Sequence, residues 1–400
     1  MTMSERLEFQ SDRIEALLSL HKIPARVTGG TVTPRWIRFQ VLPTIGAKMS
    51  KIKGLNEELA AALDASSCRV SQRGAAVDIE VPRDDPMPVR LLPLYRQLTE
   101  EDAGTYGSGS IPPETAILGL AEDGAPLLIR LPSPDVDHIL IAGTTGAGKT
   151  TLMQTIVLSL AMANPAPSPF QTEGMAGGLR LMLIDPKGHT FGAFQGLPHL
   201  ARDVIREADE VTEALQSLVH LMDKQSDQDD MIRGDGNGSM LRKQPRVVVA
   251  IDELVDLLVI GGKQIQRAIT QLTRRGHEAG IHIIAATQKP SAEVLSPPSS
   301  QAGTVCANFP VRLVGRVACA SDARTATGWS GTGAERLTGR GDFLAIAEGR
   351  VIRFQAAYIS PEEIREVVAY LAQNEAVTPS MPVPWTQPAT RLAAAFSGEV

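Results

Sequence analysis

The 400-residue sequence predicts an α/β fold with a central, mainly parallel sheet, preceded by a small α+β domain. Beyond residue 115, apolar runs of strand length alternate with helical segments. The runs are His138–Ala142, Leu179–Ile184, Val247–Ile251, Ile281–Ala286 and Val311–Val317, and such alternation marks parallel strands joined by crossover helices. Ahead of residue 100 the order is helix, strand, helix, strands, the plan of a smaller mixed module.

The elements follow in chain order. Ile14, Leu17, Leu18 and Leu20 recur at helical spacing and the pattern stops near Pro24. Trp36–Val41 alternates, with Ile37, Phe39 and Val41 on one face and Arg38 and Gln40 on the other, as in a half-buried strand. A helix is expected at Leu55–Leu63 and a strand pair around Cys68–Val81, broken at Gln72–Gly74. Pro86, Pro88, Pro93 and the Gly/Ser/Pro run Gly104–Pro113 read as a linker. The expected domains are 1–100, a linker at 101–115, the α/β domain at 116–372, and a Pro-containing tail at 373–400. Within the α/β domain, the polar and Gly-rich stretch Asp223–Arg246 reads as a long surface loop.

Composition narrows the classes. Hydrophobic residues make up 43% and charged residues 21%, as in an ordinary globular chain. No apolar run approaches the roughly 18 residues of a membrane span, and the mixed charges Glu5, Arg6 and Glu8 do not open a signal peptide. The expected location is the cytoplasm. Three cysteines, Cys68, Cys306 and Cys319, are too few and scattered for a disulfide framework or zinc site. A net charge of −6 argues against a generally basic surface. It still allows nucleic-acid binding through local Lys/Arg placement.

Gly143-Thr144-Thr145-Gly146-Ala147-Gly148-Lys149-Thr150 matches the P-loop pattern in full, between an apolar strand and a helical run. Its glycines let the backbone approach phosphate, and successive N–H groups form an anion nest at a helix start. Lys149 is expected on the β/γ-phosphates of ATP and the Thr150 hydroxyl on Mg²⁺, with Thr151 beside it in the nucleotide site. Asp252 and Glu253 end the strand Val247–Ile251, where ligands of open α/β sheets bind. Asp252 is expected to hold the metal through water and Glu253 to polarise the attacking water; plain helix N-capping is the alternative. A third strand ends in Thr287-Gln288-Lys289-Pro290, where Gln288 could sense the γ-phosphate or be a surface amide beside a capping Thr.

Taken together these residues resemble the FtsK/SpoIIIE family of DNA translocases. The resemblance rests on His138–Gly146, Asp185-Pro186-Lys187 with Gly196–Leu200, Ala279–His282 running into Ala286–Ser291, Asp322–Thr325 and Gly339–Leu344. Arg38-Phe39 and Lys48–Leu59 are similar to the small domain that precedes this motor. The resemblance implies a RecA-like P-loop motor, a homo-hexameric ring with each ATP site at a subunit boundary, and double-stranded DNA in the pore. It also implies that the Gln288 strand lies between the P-loop strand and the Asp252 strand. Asp185 and Lys187 would stand at a neighbouring strand end, near nucleotide or subunit interface.

Three features depart from the pattern. His277 stands where the family carries an arginine, so Arg274, Arg275 or Arg324 is expected as the arginine supplied in trans; an exposed basic helix face is the other reading. The Asp223–Arg246 stretch is acidic where DNA-facing loops are basic, leaving Arg233, Arg242 and Lys243 as phosphate contacts. About forty residues follow Ser360, fewer than a winged-helix module needs, and the membrane anchor of septal relatives is not expected. The leading expectation is therefore an ATP-driven, sequence-indifferent DNA translocase. A protein-moving ATPase like those of type VII secretion and a non-hydrolysing ATP-binding scaffold are the alternatives.

Overall fold

A computed structural model describes residues 3–44, 47, 49–74, 76–101, 111–133, 135–167, 178–234, 246–288 and 308–373. They divide into two units, the first taking in residues up to Val89 with the turn Glu122–Ala125. Helix Leu91–Glu101 therefore goes with the second unit, where the backbone N–H of Leu91 donates to Tyr358 O and the Tyr95 hydroxyl to Met162 O.

The first unit comprises α1 (Met3–Leu20), β1 (Ala25–Val32), β2 (Trp36–Pro43), α2 (Met49–Lys53), α3 (Asn56–Ala62), β3 (Arg69–Arg73) and β4 (Ala76–Pro82). Its antiparallel sheet runs β1-β2-β4-β3. Ile14 and Leu18 of α1 and Leu59 of α3 pack on Ile37, Phe39, Val41 and Ile79. Arg38 lies on the opposite face of β2 yet is also buried. The strand register sets it across from Glu80, which it meets at 2.9 Å, with Asp78 at 4.0 Å. Strand β1 escapes a propensity reading because it contains Gly29 and Gly30. Gly30 is needed there: a Cβ would stand 2.7 Å from Arg38 O on the paired strand.

The second unit opens with α4 (Leu91–Glu101) and the hairpin β5 (Thr115–Ala121) and β6 (Pro126–Arg130). Next come β7 (Ile139–Ala142), α5 (Lys149–Ala163), β8 (Leu179–Ile184), α6 (Ala208–Gly234), β9 (Arg246–Ile251), α7 (Leu254–Ile260) and α8 (Gly262–Arg275). It closes with β10 (Ile281–Thr287), β11 (Val311–Val314), α9 (Ala320–Thr327), β12 (Asp342–Ala347), β13 (Arg350–Ala356) and α10 (Pro361–Gln373). Among the described residues the sheet order is β6-β5-β13-β12-β11-β7-β10-β9-β8. The half from β11 to β8 is parallel; the half from β12 to β6 is antiparallel. β10 lies between β7 and β9, and β8 beside β9, as the resemblance implied.

Residues 223–234, expected as loop, continue α6 as helix. Asp223–Arg233 holds no Gly or Pro, so a polar sequence there is compatible with helix. Residues 235–245, the linker residues 102–110 and the tail 374–400 lie outside the described residues, as do Arg242, Lys243, Cys306 and the Arg233 side chain.

From Thr155 to Ala163 α5 is buried on every face, and Leu152, Ile156, Val157 and Leu160 are all inaccessible. Its polar groups are matched, Thr155 donating to Ala357 O at 2.8 Å and Ser159 Oγ accepting from Ile117 N at 3.0 Å. No helix among the described residues is long and apolar enough to cross a membrane.

Candidate functional site

The C-terminal ends of β7, β8, β9, β10 and β11 form one edge of the parallel half-sheet, and the predicted P-loop, Asp185, Asp252, Glu253 and Gln288 lie there. β7 leads through Gly143–Gly148 into α5. Gly143, Gly146 and Gly148 have φ of 153°, 80° and 103°, values that suit glycine. A Cβ on Gly148 would also stand 2.9 Å from Gly341 N. Neighbouring segments brace the loop from outside. Thr144 N and Oγ1 donate to Arg316 O at 2.8 and 3.0 Å, Arg340 N donates to Gly146 O and Gly341 N to Ala147 O. Among the described residues, no acceptor meets the N–H of Thr145, Gly146 or Gly148. Those of Lys149, Thr150 and Thr151 open α5 and lack intrahelical partners. This is a nest of donors at a helix N-terminus, suited to phosphate. Lys149 is buried, its ammonium 3.2 Å from Thr144 O. Burial pulls its pKa down, and the carboxylates of Glu253 and Asp252 oppose that shift.

β9 delivers Asp252 and Glu253. The Asp252 carboxyl is pushed above its ordinary range by burial, against the hydrogen bond that Thr190 Oγ1 donates to Oδ2 at 2.7 Å. Glu253 is buried and left-handed, with φ 62° and ψ 68°. That conformation is costly for a residue with a Cβ, and such strain gathers at functional sites. Its Oε1 accepts from Thr287 Oγ1 and from Gln288 N, both at 3.1 Å. Gln288 also reaches the P-loop: Thr145 Oγ1 donates to its Oε1 at 3.1 Å. One exposed residue at the end of β10 thus touches both halves of the site.

Oxygen donors for a hard cation stand at the start of α5 and at the end of β9. The Thr150 hydroxyl is exposed in the first turn of α5, and Asp252 Oδ1 has no partner among the described residues. A hydroxyl and a carboxylate are a ligand set that fits Mg²⁺.

Asp185 is the residue expected near nucleotide or subunit interface. It is fully buried, and its two oxygens accept from Gly188 N (2.9 Å), His189 N (3.3 Å), Thr190 N (2.8 Å) and Phe191 N (3.0 Å). Its carboxylate organises the loop after β8, leaving little capacity for a nucleotide. Lys187, carried by that loop, points toward β9: its ammonium is 2.8 Å from Asp256 and 4.0 Å from Glu253. The hydrogen bond to Asp256 raises its pKa.

The three arginines divide by edge. Arg274 and Arg275 end α8, which returns to the start of β10, so the length of that strand, about 20 Å, separates them from the P-loop edge. Both are exposed, and Arg275 meets Asp223 at 3.4 Å. Arg324 is exposed on α9, entered from the P-loop edge of β11. Sequence reasoning missed Thr190, Gln154 and Arg316. It noted Gly339–Leu344 without placing Gly339–Gly341 against the P-loop, although a Gly-Arg-Gly run is a turn signal.

Comparisons with known proteins agree with this geometry. A model of the FtsK/SpoIIIE family matches residues 113–236 and 230–292, and one of the FtsK alpha domain matches residues 1–83. Together they cover more than half of the chain. The DNA translocase FtsK of Staphylococcus epidermidis is 31% identical over 395 residues, covering 94% of this chain and 46% of that protein. That of Bacillus anthracis is 31% identical over 401 residues, covering 95% and 47%. The chain thus spans about half the length of the curated relatives it matches. Among solved structures, the pCW3 conjugation coupling protein TcpA in its monomer form with ATPgS aligns with a TM-score of 0.56 at 19% identity, covering 90% of this chain and 99% of that one. The cytoplasmic domain of the Thermomonospora curvata type VII secretion ATPase EccC aligns at 0.51 and 24% identity, covering 68% and 32%. These two likenesses speak for the fold, a P-loop α/β domain as the sequence predicts. With both family models falling on the units the structure separates, and the P-loop facing its paired carboxylates, the chain belongs to the FtsK/SpoIIIE family.

Proposed function

We propose that this chain is an ATP-driven motor that translocates double-stranded DNA with little sequence specificity, working in the cytoplasm as a homo-hexameric ring. The observation that carries the reading is the junction at Gln288, which bonds Thr145 of the P-loop and Glu253 of the carboxylate pair. The open N–H groups of the P-loop and Lys149 hold the phosphates. Glu253 polarises the attacking water as general base, and Gln288 registers whether the γ-phosphate is present. Mg²⁺, when bound, neutralises charge on the β- and γ-phosphate oxygens, and Thr150 and Asp252 are the residues that would hold it. DNA as the substrate is supported by the relatives named DNA translocase FtsK at 31% identity.

The ring reading draws support from Arg274 and Arg275. They stand at the sheet edge opposite their own P-loop, so a role at a γ-phosphate requires a neighbouring subunit's site. We favour Arg275 as the arginine supplied in trans, with Arg274 and Arg324 as alternatives, because a guanidinium stabilises charge building on the transferred phosphoryl group.

Steady-state ATPase measured with and without linear duplex DNA tests the proposal. Stimulation by unrelated duplexes alike, weakening with salt, is the expected result. A rate indifferent to DNA would favour a protein cargo, and no hydrolysis at all would favour a scaffold. In the same assay, mixing Arg275→Ala with Lys149→Ala subunits should restore activity that neither has alone. Normal hydrolysis by Arg274→Ala, Arg275→Ala and Arg324→Ala alike would refute the shared site.

A further inference from the structure

We infer that Thr190 is a positioning residue for Asp252, and that through it the P-loop helix and the carboxylate strand are held in one register. The inference deepens the ATPase reading and rests on it. Thr190 is 2% exposed, and each of its polar groups is committed to a different element. Its N–H donates to Asp185 Oδ2 at 2.8 Å, at the end of β8. Its carbonyl accepts from Gln154 Nε2 of α5 at 2.7 Å. Its hydroxyl donates to Asp252 Oδ2 at 2.7 Å, at the end of β9.

The geometry bears on the metal ligands. A hydroxyl fixed on Oδ2 by a short, charge-assisted bond stops the carboxylate from turning about its last torsion, and leaves Oδ1 as the oxygen available to a cation. Gln154 lies one helical turn beyond Thr150, so α5 positions the Thr150 hydroxyl and grips Thr190 from the same face. Thr150 comes from α5 and Asp252 from the end of β9, and Thr190 bonds to Gln154 of the first and to Asp252 itself. Groups that hold a metal ligand in place by a hydrogen bond typically change metal affinity by about 10–100-fold when removed. Asp185 gives the arrangement its stiffness, because four N–H bonds fix the loop on which Thr190 sits.

The test compares the whole chain with Thr190→Val, Thr190→Ala and Thr190→Ser. ADP binding is measured first in chelator, by displacement of a fluorescent nucleotide, and Mn²⁺ is then titrated into the protein–ADP complex and followed by electron paramagnetic resonance. Thr190→Val should bind ADP without metal as the wild type does, yet hold Mn²⁺ about 10–100-fold more weakly. Thr190→Ser, which restores the hydroxyl, should return to within about twofold of the wild type. Thr190→Ala removes the hydroxyl without asking the pocket to accept a second methyl, and should match Thr190→Val. Mn²⁺ affinity within about twofold of wild type in Thr190→Ala overturns the inference, as does equal weakening of metal-free ADP binding and Mn²⁺ binding, which marks general damage to the pocket. A wild type that binds no nucleotide at all sinks the ATPase reading itself, a result distinct from either.

Discussion

Two loops leave the same edge of the sheet and treat their backbone N–H groups in opposite ways. The loop after β8 turns four of them inward onto its own anion, Asp185. The loop after β7 has no acidic side chain between Gly143 and Thr150, and its donors at Thr145, Gly146 and Gly148 meet no acceptor among the described residues. A loop that contains its own carboxylate is electrically complete and serves as a fixture. A loop without one is a receptor for another molecule's anion. The difference between scaffold and binding site here comes down to one carboxylate.

The largest expected effects lie on the receptor side. Lys149→Ala removes the cation that completes the phosphate nest and should abolish ATP turnover. Glu253→Gln should still bind ATP while turnover falls by about 10²-fold or more, the scale of lost general-base assistance. Unchanged turnover in Glu253→Gln would break the assignment of Glu253. On the fixture side, Asp185→Asn sets an amide NH₂ against two N–H donors and should cost about 3 kcal/mol of stability by urea unfolding. Its nucleotide affinity should change far less. Wild-type stability with nucleotide binding weakened more than about tenfold would instead make Asp185 a nucleotide contact and erase the contrast.

The smallest effect sharpens it. Gly188 of the fixture has φ 71° and a Cβ would meet only the Arg206 guanidinium, at 3.5 Å or more. Gly188→Ala should therefore cost only the backbone strain, about 1–2 kcal/mol. Gly148→Ala in the receptor adds a backbone clash at Gly341 N to the same strain, and should lose both stability and nucleotide binding. Equal costs measured by thermal unfolding would show that the bracing of the P-loop by Gly341 is slack.

What was legible in the sequence was whatever local pattern decides. The P-loop, the carboxylate pair and five strands of the parallel half-sheet could be read because each is a contiguous run with its own period or turn chemistry. The place of β10 between β7 and β9 came from family resemblance, since no local signal fixes strand order. β1 was missed because Gly29 and Gly30 lower its propensity and only pairing with β2 makes it a strand. The end of α6 was misread because a polar helix face and a polar loop have similar composition. Arg316 and Gly339–Gly341 were not placed at the P-loop because the turns of the sheet bring them there from far along the chain. Asp185 was found, but its role turns on which N–H groups face it, and that is a matter of loop geometry.

The burial of α5 from Thr155 to Ala163 has a consequence for how the site can move. Beyond its first turn α5 is enclosed from Thr155 to Ala163, and amides there exchange with deuterium only when the surrounding domain opens. α5 should therefore be among the slowest-exchanging segments of the chain, with or without nucleotide. Whatever the site does during a cycle must be expressed by what surrounds the helix: the 185–191 loop, the end of β10, and the braces at Arg316 and Gly339–Gly341. The buried part of the P-loop helix is the stationary part of the site.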